Sequence, residues 1–365
     1  MDITPDIIQT PVVVKPPLND DSSKARKILI LKLREKLDKN NNLKKSVLIF
    51  TRKYDPEVDQ VGIHLLSKGI DYIQYNLEDF FWTSFNKQIF KNAKHHARIS
   101  SDGKEIDLDT ISIAWLRHFD ITTMDFTGPK YMQIFAFQQY YNMVNIIQNS
   151  LSCKWINNPR LVEQVSDRSK QLTCATKIGF TVPPTLITNE LDEALKFFHS
   201  HTGEIVVKAL HHHGVEINDK IYSFFTRTMK KKDLSGISSE LFVPCILQTK
   251  LQRKAELRIT VVGENVFSAK LNFKTEIEHD DIHQYNSKEV HIEKCDEFHS
   301  ETFVEQCRKL VKSFGLQYAA LDFLIDCDDN PIFLEINPSG DWLWIENTTK
   351  QPITSTLSNL ITECI

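Results

Sequence analysis

Two carboxylates and an amide stand where their placement needs explaining. In ALDFLIDCDDNPIFLEINPSGDW, two apolar strands meet at the turn Asp328-Asp329-Asn330-Pro331. Period-two alternation within IFLEIN sends Glu335 and Asn337 to one face, and Asp322 on the partner strand can approach that face. Three hard oxygens would then converge, the donor type Mg²⁺ takes when a few carboxylates share it with water and substrate phosphates. On an arbitrary hairpin such acids would face solvent. Here both interrupt apolar strands, and an unpaired buried carboxylate is costly, so a metal explains them better. On that reading Glu335→Gln and Asp322→Asn should leave the melting temperature of the metal-free protein unchanged or raised.

Cations and a linker add to this. Lys208 closes the β-branched strand EIVVKAL, either as an amine snorkelling from a sheet edge or as a point charge set on a phosphate. Lys170, in the helix before VPPT, carries the same two readings. After the apolar run CIL come Gln248-Thr249-Lys250, then Glu256-Leu257-Arg258 ahead of ITVVG. A strand leading into a short linker can offer backbone groups to adenine, with Glu256 for ribose hydroxyls and Arg258 for a phosphate or acyl phosphate. Each feature taken singly also fits ordinary surface chemistry.

Other chemistries are excluded by pattern. No GxxxxGK[ST] phosphate loop occurs, glycines number only 11, and kinase HRD and DFG signals are missing. His211 to His213 follow Lys208 directly and precede Gly214, which suits a mobile loop over phosphates better than a metal site. The 7 cysteines lack CxxC or CxnH spacing and are expected to be reduced core thiols.

The elements that would position these residues can be read from periodicity. Residues 1–22 carry Pro5, Pro11, Pro16 and Pro17 and form a flexible arm, followed by a basic helical run that Asn40 to Asn42 stop. SVLIF, a helix from Glu57 to Lys68 and DYIQYN give a strand–helix–strand start. A hairpin around Asp102-Gly103, the strand ISIAWLRHF and a long helix from Lys130 to Gln148 follow. Helix Leu161 to Ile178 stops at Gly179, and Pro183-Pro184 starts a strand. Helix NELDEALKFFHS, strand EIVVKAL, a hairpin-like IYSFFTRTM, strand CILQTKL and two strands around Gly263 come next. Residues 273–296 are polar, and a helix near 301–313, the two acid-bearing strands and a final helix from Thr354 to Thr362 close the chain. The predicted division is an arm and basic helix over 1–45, an open α/β domain over 46–154, a central domain over 155–240 and a C-terminal domain over 241–365.

At 365 residues, with 41% hydrophobic and 25% charged residues and a net charge of -4, the chain reads as a globular protein of two or three domains. Nothing points to nucleic acid or a membrane as partner, and the expected compartment is the cytoplasm.

The order of pieces carries a resemblance. A lysine helix, VPPT, a lysine strand, a Gln-containing hinge, ELRITVVGENVFSA and D-x12-E-x-N resemble the ATP-grasp superfamily over roughly residues 155–365. Within it AWLRHF, ELRITVVGENVFSAK and EINPSGDWLWIE are similar to graspetide macrocyclases, the ligases that mature microviridin-type ribosomal peptides. The resemblance implies an α/β (α+β) ATP-grasp fold behind an N-terminal open α/β domain, with ATP and Mg²⁺ as cofactors. It puts Lys170 and Lys208 on ATP phosphates, residues 247–250 around adenine, and Asp322, Glu335 and Asn337 on Mg²⁺. It also has Arg258 neutralise the transferring phosphoryl group and Arg117 face the substrate cleft. The implied partner is a precursor peptide with a leader and a core rich in Thr, Ser, Asp and Glu. A homodimer is left open. Two departures stand out: His118 where many such enzymes carry a second arginine, and a diverged stretch LNFKTEIEHDDIHQYN. Lys230-Lys231-Lys232 and the charged insert between Thr275 and Lys294 would suit an amphipathic leader helix, or are solvated loops. Rival readings are a ligase that adds amino acids to a protein tail or small acid, and a non-catalytic binding module, against which the intact Asp322, Glu335 and Asn337 count.

Overall fold

A computed structural model describes residues 21–38, 44–80, 86–91, 94–101, 104–121, 126, 128–201, 204–210, 214–217, 220–223, 226–229, 242–273 and 290–365. The arm, the Asp102-Gly103 turn, His211 to His213, Lys230 to Lys232 and most of the charged insert lie outside them. Helix α1 (Asp21–Asp38) packs on α2 (Pro56–Ser67), with Ile30 buried and Arg34 bonded to Asp71 at 2.9 Å. The basic helix is thus part of the body.

The first sheet is parallel, as a strand–helix–strand pattern requires. Strands β1 (Lys44–Thr51) and β2 (Ile70–Asn76) pair with β6 (Ile113–Leu116) and β7 (Lys154–Ile156) in the order β2-β1-β6-β7. Between them, β3 (Asn86–Lys91), β4 (Lys94–Ser101) and β5 (Lys104–Asp107) form an antiparallel meander, one strand more than the expected hairpin. A four-residue helix, α3 (Leu77–Phe80), follows β2, and the long α4 spans Lys130–Ser150.

The expected helix over 161–178 is two helices, α5 (Pro159–Val165) and α6 (Arg168–Ile178). Asp167 separates them because its carboxylate accepts the Lys170 amide and caps a new helix. Gly179 ends α6 at φ 103, a conformation natural for glycine. Both helices pack against the C-terminal sheet.

The central sheet runs β12-β9-β13-β8, from β8 (Thr185–Thr188), β9 (Ile205–Lys208), β12 (Arg227–Met229) and β13 (Cys245–Thr249). Its small core of Ala194, Ile205 and Leu247 lies under α7 (Leu191–Ser200). The hairpin read at IYSFFTRTM is instead β10 (Gly214–Ile217) on β11 (Lys220–Ser223), while β12 pairs with β9. Strand β13 belongs to this sheet through its pairing with β8 and β9.

The last sheet is antiparallel, ordered β16-β15-β14-β17-β18. It comprises β14 (Ala255–Val262), β15 (Asn265–Phe273), β16 (Val290–Lys294), β17 (Tyr318–Ile325) and β18 (Pro331–Asn337). Strand β16 went unread because its exposed VHIEK offers little alternation. Helix α8 (Glu301–Ser313), capped by Ser300, covers one face. Two short helices, α9 (Leu343–Thr349) and α10 (Ile353–Glu363), close the chain. One core joins Val47, Ile49 and Val58 to Tyr318, Trp342, Ile353 and Leu357, so the first sheet and the chain's end share their interior.

Candidate active site

Three residues lie in one row across β14, β17 and β18: Arg258 opposite Asp322, and Asp322 opposite Glu335. Direct cross-strand partners point to the same face, so all three project together. A bulge shifts the register between Asp322 and Phe323, leaving Leu334 as the extra residue. It changes the phase of β18: Phe333 and Ile336 enter the core, while Glu335 is left on the other face. Strict alternation would have put Phe333 beside Glu335.

Neither acid is alone. Arg258 Nη1 donates to both Asp322 oxygens at 2.6 Å, and Arg168 Nη1 lies 2.5 Å from Glu335. Asn337 Oδ1 accepts the Ser339 amide at 2.9 Å. Two carboxylates and an amide oxygen are hard donors that fit Mg²⁺, for whose oxygens the two guanidiniums compete. Among the described residues no cluster of three or more His, Cys, Asp or Glu forms, so water and phosphate would complete the coordination.

Arg168 was not singled out in the sequence. It occupies the first turn of α6, and Gln171 one turn on bonds the Ile336 amide and carbonyl at 3.1 and 3.3 Å. This pins α6 to β18 and holds Arg168 over Glu335. Lys170 points elsewhere, its ammonium 2.8 Å from Gln164 Oε1 and 5.5 Å from the centre of the Phe314 ring. The structure therefore brings Arg168, and not Lys170, to the acid row; a helix turns about 100° per residue, so these two residues, two positions apart, lie about 200° apart around α6.

Behind the row runs the segment Pro338–Trp342, held from several sides. Arg117 donates to the Ser339 and Gly340 carbonyls and to Asp341, and lies over the Trp342 ring at 4.8 Å. Tyr318 Oη donates to the Gly340 carbonyl at 2.5 Å, and Asn157 Nδ2 donates to the Tyr318 and Pro338 carbonyls at 2.7 and 3.0 Å. Where the resemblance implies an Arg117 that faces a substrate cleft, its side chain is 1% exposed, with Asp55 at 3.6 Å. Buried there, it holds the Pro338–Trp342 segment. Asn157, Tyr318 and Asp341 were likewise missed, though Asp341 lies within the distinctive phrase PSGDW.

Burial pushes the Glu57 carboxyl up to about 7, with Asp341 and Asp55 adding to the rise and Arg117 opposing it. A raised carboxyl contributes stability that is complete below its unfolded value and is lost as pH climbs through the folded value. Wild-type melting temperature should therefore fall between about pH 4.5 and 7, a loss on the order of 3 kcal/mol at most. Glu57→Gln should flatten that segment of the profile in calorimetry, and an unchanged profile would exclude Glu57 as its source.

On the central sheet, Ile205 and Val207 pack toward α7, so Val206 and Lys208 take the opposite face, paired with Gln248 and Ile246. Gln248 is buried and donates to Thr185 Oγ1 at 2.9 Å. Lys250 Nζ bonds Glu204 and Thr228 at 2.9 and 2.8 Å, while Thr249 Oγ1 is buried without a hydrogen-bond partner among the described residues. Glu256 pairs with Arg253, which lies over the Phe273 ring at 4.6 Å. The linker from Lys250 to Lys254 joins this sheet to β14, the strand carrying Arg258.

No protein-family model and no curated protein matches the chain in sequence. Solved structures do match in shape. A RiPP-associated ATP-grasp ligase of Chryseobacterium gregarium, in complex with ADP and a leader and core peptide, superposes with TM-score 0.74 at 21% identity, over 88% of this chain and 97% of that one. Macrocyclase MdnC of Microcystis aeruginosa, bound with precursor peptide MdnA, gives 0.75 at 23%, over 87% and 99%. The ATP-grasp ligase PsnB, complexed with a precursor variant, Mg and ADP, gives 0.68 at 20%, over 88% and 100%. With its sheets in this order and these partners in shape, the chain has the ATP-grasp ligase fold.

Proposed function

We propose that the chain is an ATP-dependent ligase that phosphorylates Asp or Glu side chains of a ribosomal precursor peptide and closes ω-ester or ω-amide rings with Ser, Thr or Lys. The observation that carries this reading is the row of Arg258, Asp322 and Glu335 with Arg168 above it, set one linker away from the sheet that bears Lys208. Neighbours of the same fold bind ADP, Mg and precursor peptides, which supports the choice of nucleotide and substrate.

A peptide carboxylate attacks the γ-phosphate of ATP, ADP departs, and an acyl phosphate remains. Lys208 and Arg258 neutralise charge on the phosphates, with positioning supplying most of the acceleration. Mg²⁺ held by Asp322, Glu335 and Asn337 would add further charge neutralisation there. A hydroxyl or amine of the same peptide then displaces phosphate. Gln248, Thr249 and Lys250, at the end of β13, flank the adenine, with Glu256 near the ribose.

Lys208→Ala should weaken ATP binding at least tenfold while leaving peptide binding within about twofold, since a point charge on phosphate does little elsewhere. Unchanged ATP affinity in calorimetry would return Lys208 to the surface lysines. For the whole reading, enzyme, ATP, Mg²⁺ and the short peptide encoded beside its gene should give mass losses in multiples of one water. Mass gain by an amino acid would establish a tail-extending ligase instead.

No helix of the described residues is long and apolar enough to cross a membrane, and all cysteines are free, which supports the cytoplasm as the compartment. We assign a second copy of the chain to the outer face of α4. Tyr131, Ile134 and Phe135 are 71%, 52% and 58% exposed there, and Lys130 is the helix's single charge. Two such uncharged stripes can meet about a two-fold axis with no charge opposed to its own image. Light scattering should find a dimer that Phe135→Glu splits; a monomeric wild type ends the assignment.

A further inference from the structure

The proposed reaction leaves one proton without a destination, because the attacking hydroxyl must give it up while bonding to the acyl phosphate. We propose that His118, oriented by Asp341, is the general base that takes it; the inference rests on the ligase reading above. Its Nε2 lies 3.0 Å from Asp341 Oδ1. A carboxylate only accepts, so Nε2 carries the hydrogen and Nδ1 keeps its lone pair. Among the described residues Nδ1 has no hydrogen-bond partner, and the side chain is 27% exposed against 1% for its neighbour Arg117. One residue at the end of β6 is sealed in to hold the Pro338–Trp342 segment, and the next is turned outward.

The dyad adjoins the acid row. The Asp341 main-chain oxygen accepts from Arg258 Nη2 at 3.4 Å, and Arg258 grips Asp322. Asp341 thus contacts His118 through its carboxylate and Arg258 through its main-chain oxygen. In the step, the hydroxyl oxygen bonds to the acyl carbon, its proton passes to Nδ1, and the carbon–oxygen bond to phosphate breaks with the electron pair leaving on phosphate. The imidazolium then returns the proton to the departing phosphate, restoring neutral His118.

The surroundings suit a base. Burial pushes the imidazole below its ordinary value, a bond to Asp341 pulls back and Arg117 pushes further, so His118 is neutral near pH 7. Burial would raise the Asp341 carboxyl, but the His118 bond and the charges of Arg117 and Arg52 hold it well below the usual carboxylate range. Asp55 from the β1–α2 turn also acts on the imidazole, and Glu57 from α2 interacts with Asp341.

Hydroxylamine separates the half-reactions, because it captures an acyl phosphate at neutral pH without a base. With ATP, Mg²⁺ and the short peptide encoded beside the gene, His118→Gln should slow ring closure about 10²–10³-fold. Hydroxamate formation should stay within about threefold of wild type. Wild-type ring closure should rise through a value below 6.5 and level by pH 7, whereas the variant should climb with pH throughout. Ring closure at the wild-type rate, or both half-reactions falling together, overturns the base. Wild type that releases no ADP with either acceptor removes the ligase reading and the base with it. Nitrogen-15 spectra of the full chain supply a peptide-free check: the Nε2–H tautomer supports the dyad and the Nδ1–H tautomer overturns it.

Discussion

Asp322→Asn is expected to lose nucleotide turnover and stability together, whereas Glu335→Gln should lose turnover alone. Both remove a charge from the row proposed to face the phosphates, and a loss of at least 100-fold in Mg²⁺-dependent ADP release is expected from each. Stability separates them. The Arg258 side chain is 11% exposed, Asp322 takes both strong bonds from its Nη1, and its Nε has no hydrogen-bond partner among the described residues. Removing the charge of one partner in a buried pair costs about 3–5 kcal/mol. Asp322 is 27% exposed, and asparagine keeps one acceptor, so about 2 kcal/mol is the reasonable figure here. A drop of about 3 °C in melting temperature follows. The Arg168–Glu335 pair is 19% and 30% exposed, and pairs nearer the surface contribute up to about 1 kcal/mol. Wild-type ADP release from both variants would sink the metal assignment, and an unchanged melting temperature for Asp322→Asn would show that Arg258 does not depend on its partner.

That result would also correct a sequence-level expectation. Apolar flanks made Asp322 and Glu335 look like carboxylates justified by an ion alone, so neutral replacements looked harmless to the apo fold. The arginines that hold them come from residues 168 and 258, far apart in the chain. Spacing within one hairpin cannot show such a pairing. What was legible was local: the acid-bearing strands, their turn, the helix over residues 301–313 and the parallel strand starts all follow short-range periodicity. What was hidden depended on tertiary partners. Arg168 and Lys170 were indistinguishable until Gln171 fixed the rotation of α6 against β18. The cleft-facing Arg117 came from the resemblance alone, and only the carbonyls of residues 339 and 340 show what holds this arginine in the interior. Strand β16 and the two-residue break between α5 and α6 were lost for the same reason, since pairing and capping decided them against weak local pattern.

Gly340→Ala should do damage out of proportion to a single methyl. A Cβ at this position would stand 2.6 Å from Ala320 Cβ and 2.6 Å from Arg258 Nη2. Neither can yield cheaply: Ala320 is fully buried in β17, and Arg258 is held by Asp322. Either the segment lifts, breaking the Arg117 and Tyr318 bonds to the Gly340 carbonyl, or the guanidinium leaves its place. Overpacking of this kind costs about 1–3 kcal/mol. A misplaced charge of 1 Å near the reacting groups costs about 100-fold in rate. The expected outcome is at least a 100-fold loss of kcat with ATP affinity reduced less than tenfold, measured by ADP release and calorimetry. Adding Ala320→Gly, which opens space on one side, should restore part of the stability and little of the rate. Near-normal kcat in the single variant would mean that Arg258 has no fixed place to lose.

The shared core beneath the first and last sheets bears on how the chain can be divided. Val47, Ile49 and Val58 pack with Trp342, Ile353 and Leu357, so residues almost 300 positions apart melt as one cooperative unit. Among the described residues, the central sheet has Ala194, Ile205 and Leu247 fully buried in a core of its own, and it is tethered by the chain at residues 181–184 and 250–254. A chimera that exchanges residues 185–249 with a relative would cut two strands of backbone and almost no shared interior. A fragment ending before residue 338 would instead expose the interior of the first domain, and with it would go Arg117's hold on the segment behind the phosphates.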